Sequence, residues 1–156
     1  MSTATLDLNI LRAANMAAST EQTRYYLNGV CVELTATATT YIATDGHILF
    51  AYRQETTNDL IGTWIIPSSI IKQIKPNKHN PYVTLSRVDD KHLKLENGIA
   101  LVFEPIDGTF PDWRRVISRN ASDHYQPKDG SGIGYDPTLL ARLWKAGDII
   151  NSSKPT

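Results

Sequence analysis

Cysteine is almost missing from this chain: Cys31 is the single one in 156 residues. One thiol excludes a disulfide framework and fits a reducing cytoplasm. A surplus of one charge is missing too. Lys plus Arg number 16 and Asp plus Glu number 16, so the net charge is zero. That excludes coating nucleic acid by bulk charge, which needs many cations against phosphates, but leaves room for local basic patches. No apolar run approaches the roughly 20 residues that a bilayer span requires. The stretch Leu6 to Ala18 is broken by Asp7, Asn9, Arg12 and Asn15 and does not read as a signal peptide. Motifs of small-molecule chemistry are also lacking. There is no Gly-rich phosphate loop, no Gly-x-Ser-x-Gly elbow and no Cys-x-x-Cys pair. The histidines His47, His79, His92 and His124 show no metal-ligand spacing. No cofactor and no metal are therefore expected.

What is present is ordinary for a globular protein: 41% hydrophobic and 21% charged residues. The length fits one domain, or one plus a fragment of a second. Asp7 can cap a helix running to about Ala18, with Leu8, Leu11, Ala14 and Ala18 on one side. In "RYYLNGVCVELTAT", Val30, Val32 and Leu34 alternate with Cys31, Glu33 and Thr35, a strand with one buried face. "TTYIATDGHILFAYRQ" follows as two strand-like arms around a turn. "GTWIIP" is a short strand ended by Pro67. Ser68 can cap a second helix, stopped by Pro76, with Ile70, Ile71 and Ile74 opposite Lys72 and Lys75. "YVTLSRV", "KHLKLE" and "IALVFEP" are three strands joined by turns at Asp89-Asp90 and Asn97-Gly98, the latter a strong hairpin signal.

The order helix, three strands, helix, three strands is an internal structural repeat. Two amphipathic helices on one face of antiparallel strands give an α+β layer architecture. After Pro105 the chain becomes polar and turn-rich, a linker or extended arm. Phe110 and Trp113, flanking Pro111, are suited to anchoring it on the body. "GIGYDPTLLARLWKAGD" then reads as a strand and a helix. Asp136 would cap it, Leu139, Leu140, Leu143 and Trp144 would form its buried face, and Gly147 would stop it.

Asp45 and His47 invite an acid–base reading, but no nucleophile or metal partner is evident. The plainer reading is a turn, with Gly46 supplying a positive φ and Asp45 bonding the turn backbone. Cys31 could be a reactive thiol, though a small buried residue is the simpler role. Lys72, Lys75 and Lys78 lie in a stretch without an acid, from Pro67 to Asn80. They are a solvated helix face or a face turned to phosphates, which Arg12 could join.

Four stretches occur in order and at characteristic intervals: "TRYYLNGVCVEL", "YIATDGHILFAYR", "WIIPSSIIKQI" and "DGTFPDWRRVI". Together they resemble the middle domain of the bacterial DNA polymerase III beta sliding clamp, over about three quarters of the chain. The tail resembles the strand and helix that open the second half of that clamp's last domain. The resemblance implies the DNA-clamp fold, a duplicated helix-plus-three-strand repeat. It divides the chain into a clamp-like domain at 1–118, a linker or arm at 119–130 and a strand–helix fragment at 131–156.

The resemblance also implies a non-enzymatic DNA replication processivity factor. Its expected partners are double-stranded DNA, held topologically or by weak electrostatics, and clamp-binding peptides of DNA polymerase and clamp loader. It would be cytoplasmic and a homo-oligomer, without membrane association. The peptide groove would use Leu27, Thr44, Gly46, His47 and Leu49, with Pro111, Arg115 and Val116 from "FPDWRRV". His47 would then be a wall rather than a base. DNA-facing cations would be Arg12, Arg24, Lys72, Lys75 and Lys78. Ile48 departs from the arginine usual in the family, which makes that edge more apolar. The alternative is a stand-alone regulator, of phage or mobile-element type, that competes for clamp partners without encircling DNA.

Overall fold

The computed structural model describes residues 2–116 and 137–152. Its first 103 residues contain one five-element unit twice. In the first unit, strand β1 (Thr3–Asp7) runs into helix α1 (Leu8–Asn15), followed by strands β2 (Gly29–Leu34), β3 (Ala38–Thr44) and β4 (Leu49–Glu55). In the second, β5 (Gly62–Pro67) runs into α2 (Ser68–Gln73), followed by β6 (Tyr82–Arg87), β7 (Leu93–Asn97) and β8 (Ile99–Phe103). Each opening strand joins the other unit's sheet. One sheet has the order β1-β6-β7-β8 and the other β4-β3-β2-β5, with all pairings antiparallel. The expected repeat is present; β1 is an added strand, and the expected "GTWIIP" strand is β5, which leads the second copy.

The helices start where local chemistry lets them. Asp7 is the N-cap of α1, its Oδ1 accepting from the amides of Asn9 at 2.9 Å and Ile10 at 3.3 Å. The helix ends at Asn15, not Ala18. Met16, Ala17 and Ala18 continue as tightened turns whose amides reach back three residues. Ser68 is not the cap of α2. It is the first helical residue, Pro67 holds the cap position, and the Ser68 hydroxyl donates to Asn15 Oδ1 at 2.6 Å. That bond ties the start of α2 to the end of α1.

One core collects the inward faces of both sheets and helices. Leu8 and Leu11 of α1, Val30 and Val32 of β2, Ile66 of β5, Ile71 of α2, and Leu85 and Leu95 of the other sheet are all buried in it. Burial of each such side chain contributes about 1.5–3 kcal/mol. Tyr41 is fully buried and accepts from the Asp7 amide at 2.8 Å, joining β3 to the α1 N-terminus.

Strand β2 is covered on both faces, not one. Cys31, Ile42 and Ile65 form a second cluster on the far side of their sheet, packed by Tyr26, Leu49, Ile106, Phe110 and Trp113. The segment after Pro105 is the lid of that cluster, and the Ile106 amide donates to Ile65 O at 3.0 Å. Burial pushes the Cys31 thiol up to about 12, so no appreciable thiolate exists near neutral pH.

Helix α3 (Pro137–Ser152) passes through Gly147 and packs against α1. Of its expected apolar face, the side chains of Leu139 and Leu140 lie outside the described residues, and the other two residues are exposed. Leu143 and Trp144 are 42% and 74% exposed, whereas Ala146 is buried. A small residue there permits close approach to α1, where Ala13 is also buried. The predicted strand at 131–135, the Asp136 cap and the linker 119–130 lie outside the described residues. No described helix is long and apolar enough to cross a membrane.

Candidate functional site

The β3–β4 turn is braced by its own side chains. Asp45 Oδ1 accepts from the amides of His47 at 2.8 Å and Ile48 at 3.0 Å. Thr44 Oγ1 accepts from the Gly46 amide at 3.1 Å and donates to Ile48 O at 2.6 Å. Gly46 has φ +93°, a conformation L-residues with a Cβ rarely adopt. Asp45 is thus a turn-former, and the His47 ring makes no hydrogen bond to it or to any other described residue. Among the described residues no group of three or more His, Cys, Asp or Glu could hold a metal ion.

Beside this turn lies a groove of about 510 Å³. Its walls come from three places in the chain. Arg24, Tyr26 and Leu27 belong to a 3-10 segment (Gln22–Leu27) that leads into β2. Thr44, Gly46, His47, Ile48 and Leu49 belong to the turn, and Pro111, Asp112 and Trp113 to the arm. Its lining is more apolar than polar, the kind of concavity that accepts an apolar anchor.

The arm is held in place by one acid. Glu33, on β2, accepts from Trp113 Nε1 at 3.2 Å and from both Arg114 nitrogens at 3.1 and 2.7 Å. The Arg114 guanidinium also stacks 4.3 Å above the Trp113 ring centroid. The Arg114 hydrogen bond holds the Glu33 carboxyl below its ordinary range, against the raising effect of burial.

Six of the eight residues expected in the groove line it together: Leu27, Thr44, Gly46, His47, Leu49 and Pro111. Arg115 does not. Its side chain is 84% exposed and pairs with Asp112 at 3.0 Å, which draws it along the arm surface. Val116 closes the short 3-10 turn Trp113–Val116 and its side chain lies outside the described residues. Sequence reasoning missed Tyr26 and Trp113 as groove residues and put Arg24 elsewhere. Arg24 lines the groove, because its segment is a 3-10 turn beside Gly46 and not part of a helix face. Among the other expected DNA-facing cations, Arg12 is half-buried on α1, Lys72 and Lys75 are exposed on and just after α2, and Lys78 is exposed in the following turn. Arg12, Lys72 and Lys75 pair with no acid among the described residues.

A duplicated strand–helix–three-strand unit with exchanged opening strands, carrying a turn-and-arm groove, defines an α+β module of the DNA-clamp type. Residues 2–112 match the family model for the DNA polymerase III beta subunit, central domain, and the chain belongs to that family. The beta sliding clamp of Caulobacter vibrioides is 32% identical over 121 residues, 72% of this chain and 32% of that protein. The Escherichia coli beta sliding clamp is 24% identical over 148 residues, 93% of this chain and 38% of that protein. The chain therefore spans about a third of the length of the curated relatives it matches. The sliding clamp of Bartonella birtlesii, solved bound to griselimycin, superposes with a TM-score of 0.60 at 26% identity, over 76% of this chain and 35% of that one. The beta subunit of Thermotoga maritima superposes with a TM-score of 0.66 at 24% identity, over 76% of this chain and 34% of that one.

Proposed function

We propose that this chain works as a sliding-clamp-type processivity module, without catalysis of its own, that captures short linear peptides of replication proteins and associates with DNA as an oligomer. The observation carrying the peptide reading is the groove itself. Leu27, the Thr44–Leu49 turn, Pro111 and Trp113 meet around one apolar slot although they come from three separate segments. The DNA reading is supported by the cations Arg12, Lys72 and Lys75 on and beside the two helices, which pair with no acid among the described residues, and by family membership. The oligomer reading is supported by open sheet edges. On β8, Ile99 is 76% and Val102 57% exposed, which suits pairing with another strand edge. We read α3 as the start of a further clamp half-domain. Cytoplasmic location follows from the same proposal.

The test uses a fluorescent short peptide ending in Leu-Phe, with griselimycin as competitor, and the solution mass with and without primed circular DNA. Saturable peptide binding and a DNA-retained oligomer are expected. A protein that binds neither peptide nor DNA would refute the reading. The second reading, a regulator that takes clamp partners without encircling DNA, is favoured by the packing of α3 on α1, one of the two helices that would face DNA. Peptide binding by a monomer that never remains on circular DNA would select it.

A further inference from the structure

The turn that walls the groove is also gripped from behind. Arg142, at the middle of α3, donates from Nε to Met16 O at 2.8 Å and from Nη2 to Ala18 O at 3.0 Å. These carbonyls lie just beyond the C-terminal end of α1, where backbone acceptors gather and the helix dipole favours a cation. The remaining nitrogen, Nη1, pairs with Asp45 Oδ2. Both partners are largely shielded, with Asp45 only 11% and Arg142 28% exposed.

The two carboxylate oxygens of Asp45 therefore have separate tasks. Oδ1 shapes the turn through the His47 and Ile48 amides, and Oδ2 fixes the shaped turn to α1 and α3 through Arg142. Burial alone would raise the Asp45 carboxyl, but these amides and the guanidinium together hold it below its usual range. Behind the turn is a second cavity, of about 460 Å³, lined by Asp45, His47, Arg142 and Lys145 among others. His47 thus stands between that cavity and the groove. Ile48 packs against the main core and Leu49 against the second cluster, while Arg142 holds the Asp45 end of the turn.

We propose that Arg142 is a positioning residue for the peptide groove, and that docking of α3 through it holds the Thr44–Leu49 wall at the separation from Pro111 and Trp113 that a ligand needs. This rests on the peptide-groove reading above. A planar fork is required, since one guanidinium serves two carbonyls and a carboxylate at once. A lysine could satisfy the carboxylate alone.

The test compares Arg142→Ala, Arg142→Lys and Lys145→Ala in the full chain. The Leu-Phe peptide is titrated, and amide exchange is followed at Gly46 and His47. Arg142→Ala should weaken peptide binding about three- to tenfold, since part of a shielded charge-assisted contact is transmitted to the wall. Exchange at Gly46 and His47 should quicken while that of β2 and β3 stays the same. Arg142→Lys should fall between the two, and Lys145→Ala should match the unaltered protein. A wild-type chain that fails to bind the peptide sinks the groove reading itself. A wild-type chain that binds, with Arg142→Ala binding within twofold of it or with unchanged exchange at the turn, overturns the role of Arg142. Global unfolding of Arg142→Ala would move β2 and β3 as well, and the lysine variant then decides: full wild-type affinity with lysine refutes the need for a fork.

Discussion

The two four-stranded sheets are built from the same repeat, yet their faces turned away from the core differ in kind. Across one sheet the row is Ile65, Cys31, Ile42 and Ala51. The corresponding row of the other is Thr5, Thr84, Glu96 and Ala100, all exposed. In the first row Ile65, Cys31 and Ile42 are roofed by Ile106, Phe110 and Trp113, with only the edge residue Ala51 exposed, and the second row meets solvent. The hairpins differ likewise. Asp45-Gly46 is braced by four hydrogen bonds from Asp45 and Thr44, while at Asn97-Gly98 the one side-chain bond, Asn97 Nδ2 to Asn80 O at 3.4 Å, leads away from the turn. Duplication supplied two equivalent scaffolds, and an apolar row plus an arm to cover it turned one of them into a site.

The largest contrast should appear in the covered row. Ile42→Ala removes a fully buried side chain from the roofed face and should cost about 3 kcal/mol in urea unfolding, whereas Thr84→Ala on the open face should stay within about 0.5 kcal/mol. Similar losses at both positions would mean that the arm does not shield its sheet. Next come the turns. Gly46 and Gly98 both have positive φ, so alanine at either should cost about 1–2 kcal/mol. Gly46→Ala should also weaken peptide binding, because a Cβ there would come within 2.6 Å of the Arg24 guanidinium in the groove wall. Nothing lies within 4 Å of a Cβ at Gly98, so that variant should leave binding unaltered.

The smallest effect is electrostatic. The Glu33 carboxyl is depressed in the folded chain, chiefly by Arg114, so its contribution is present above the ordinary glutamate value of about 4.3 and is lost as pH falls through the folded value. Exposure of Arg114 keeps it below about 1 kcal/mol. Trp113 fluorescence should change on acidification below about pH 4.3 in the native chain, and Glu33→Gln should remove that step. A step that persists in Glu33→Gln would assign it to another carboxylate.

Much of the body is legible in the residues. The Asp7 cap, the alternation in β2 and the Asn97-Gly98 reversal are local signals, and each element forms where its chemistry points. The turn, Leu27 and Pro111 were grouped by family resemblance, since nothing in their spacing brings them together. Strand β1 escaped notice because Thr-Ala-Thr-Leu-Asp has a weak pattern and its partner β6 lies far along the chain. Leu143 and Trp144 of α3 read as buried because they outweigh Ala146 on any hydrophobic count, whereas close helix contact selects the small residue. Arg142 left no sequence signal at all. A carbonyl-gripping arginine looks like any other surface charge until the end of α1 is placed beside it.

The exchange of opening strands carries a kinetic consequence. Residues 3–7 are synthesised well before their hydrogen-bonding partner, residues 82–87, which is made only after the whole of the first unit. Until then β2, β3 and β4 can zip locally, but β1 must wait with its backbone unpaired. Closing so long a loop is entropically slow. Maturation of this fold should therefore be paced by the late arrival of β6, with β1 as the segment most in need of protection.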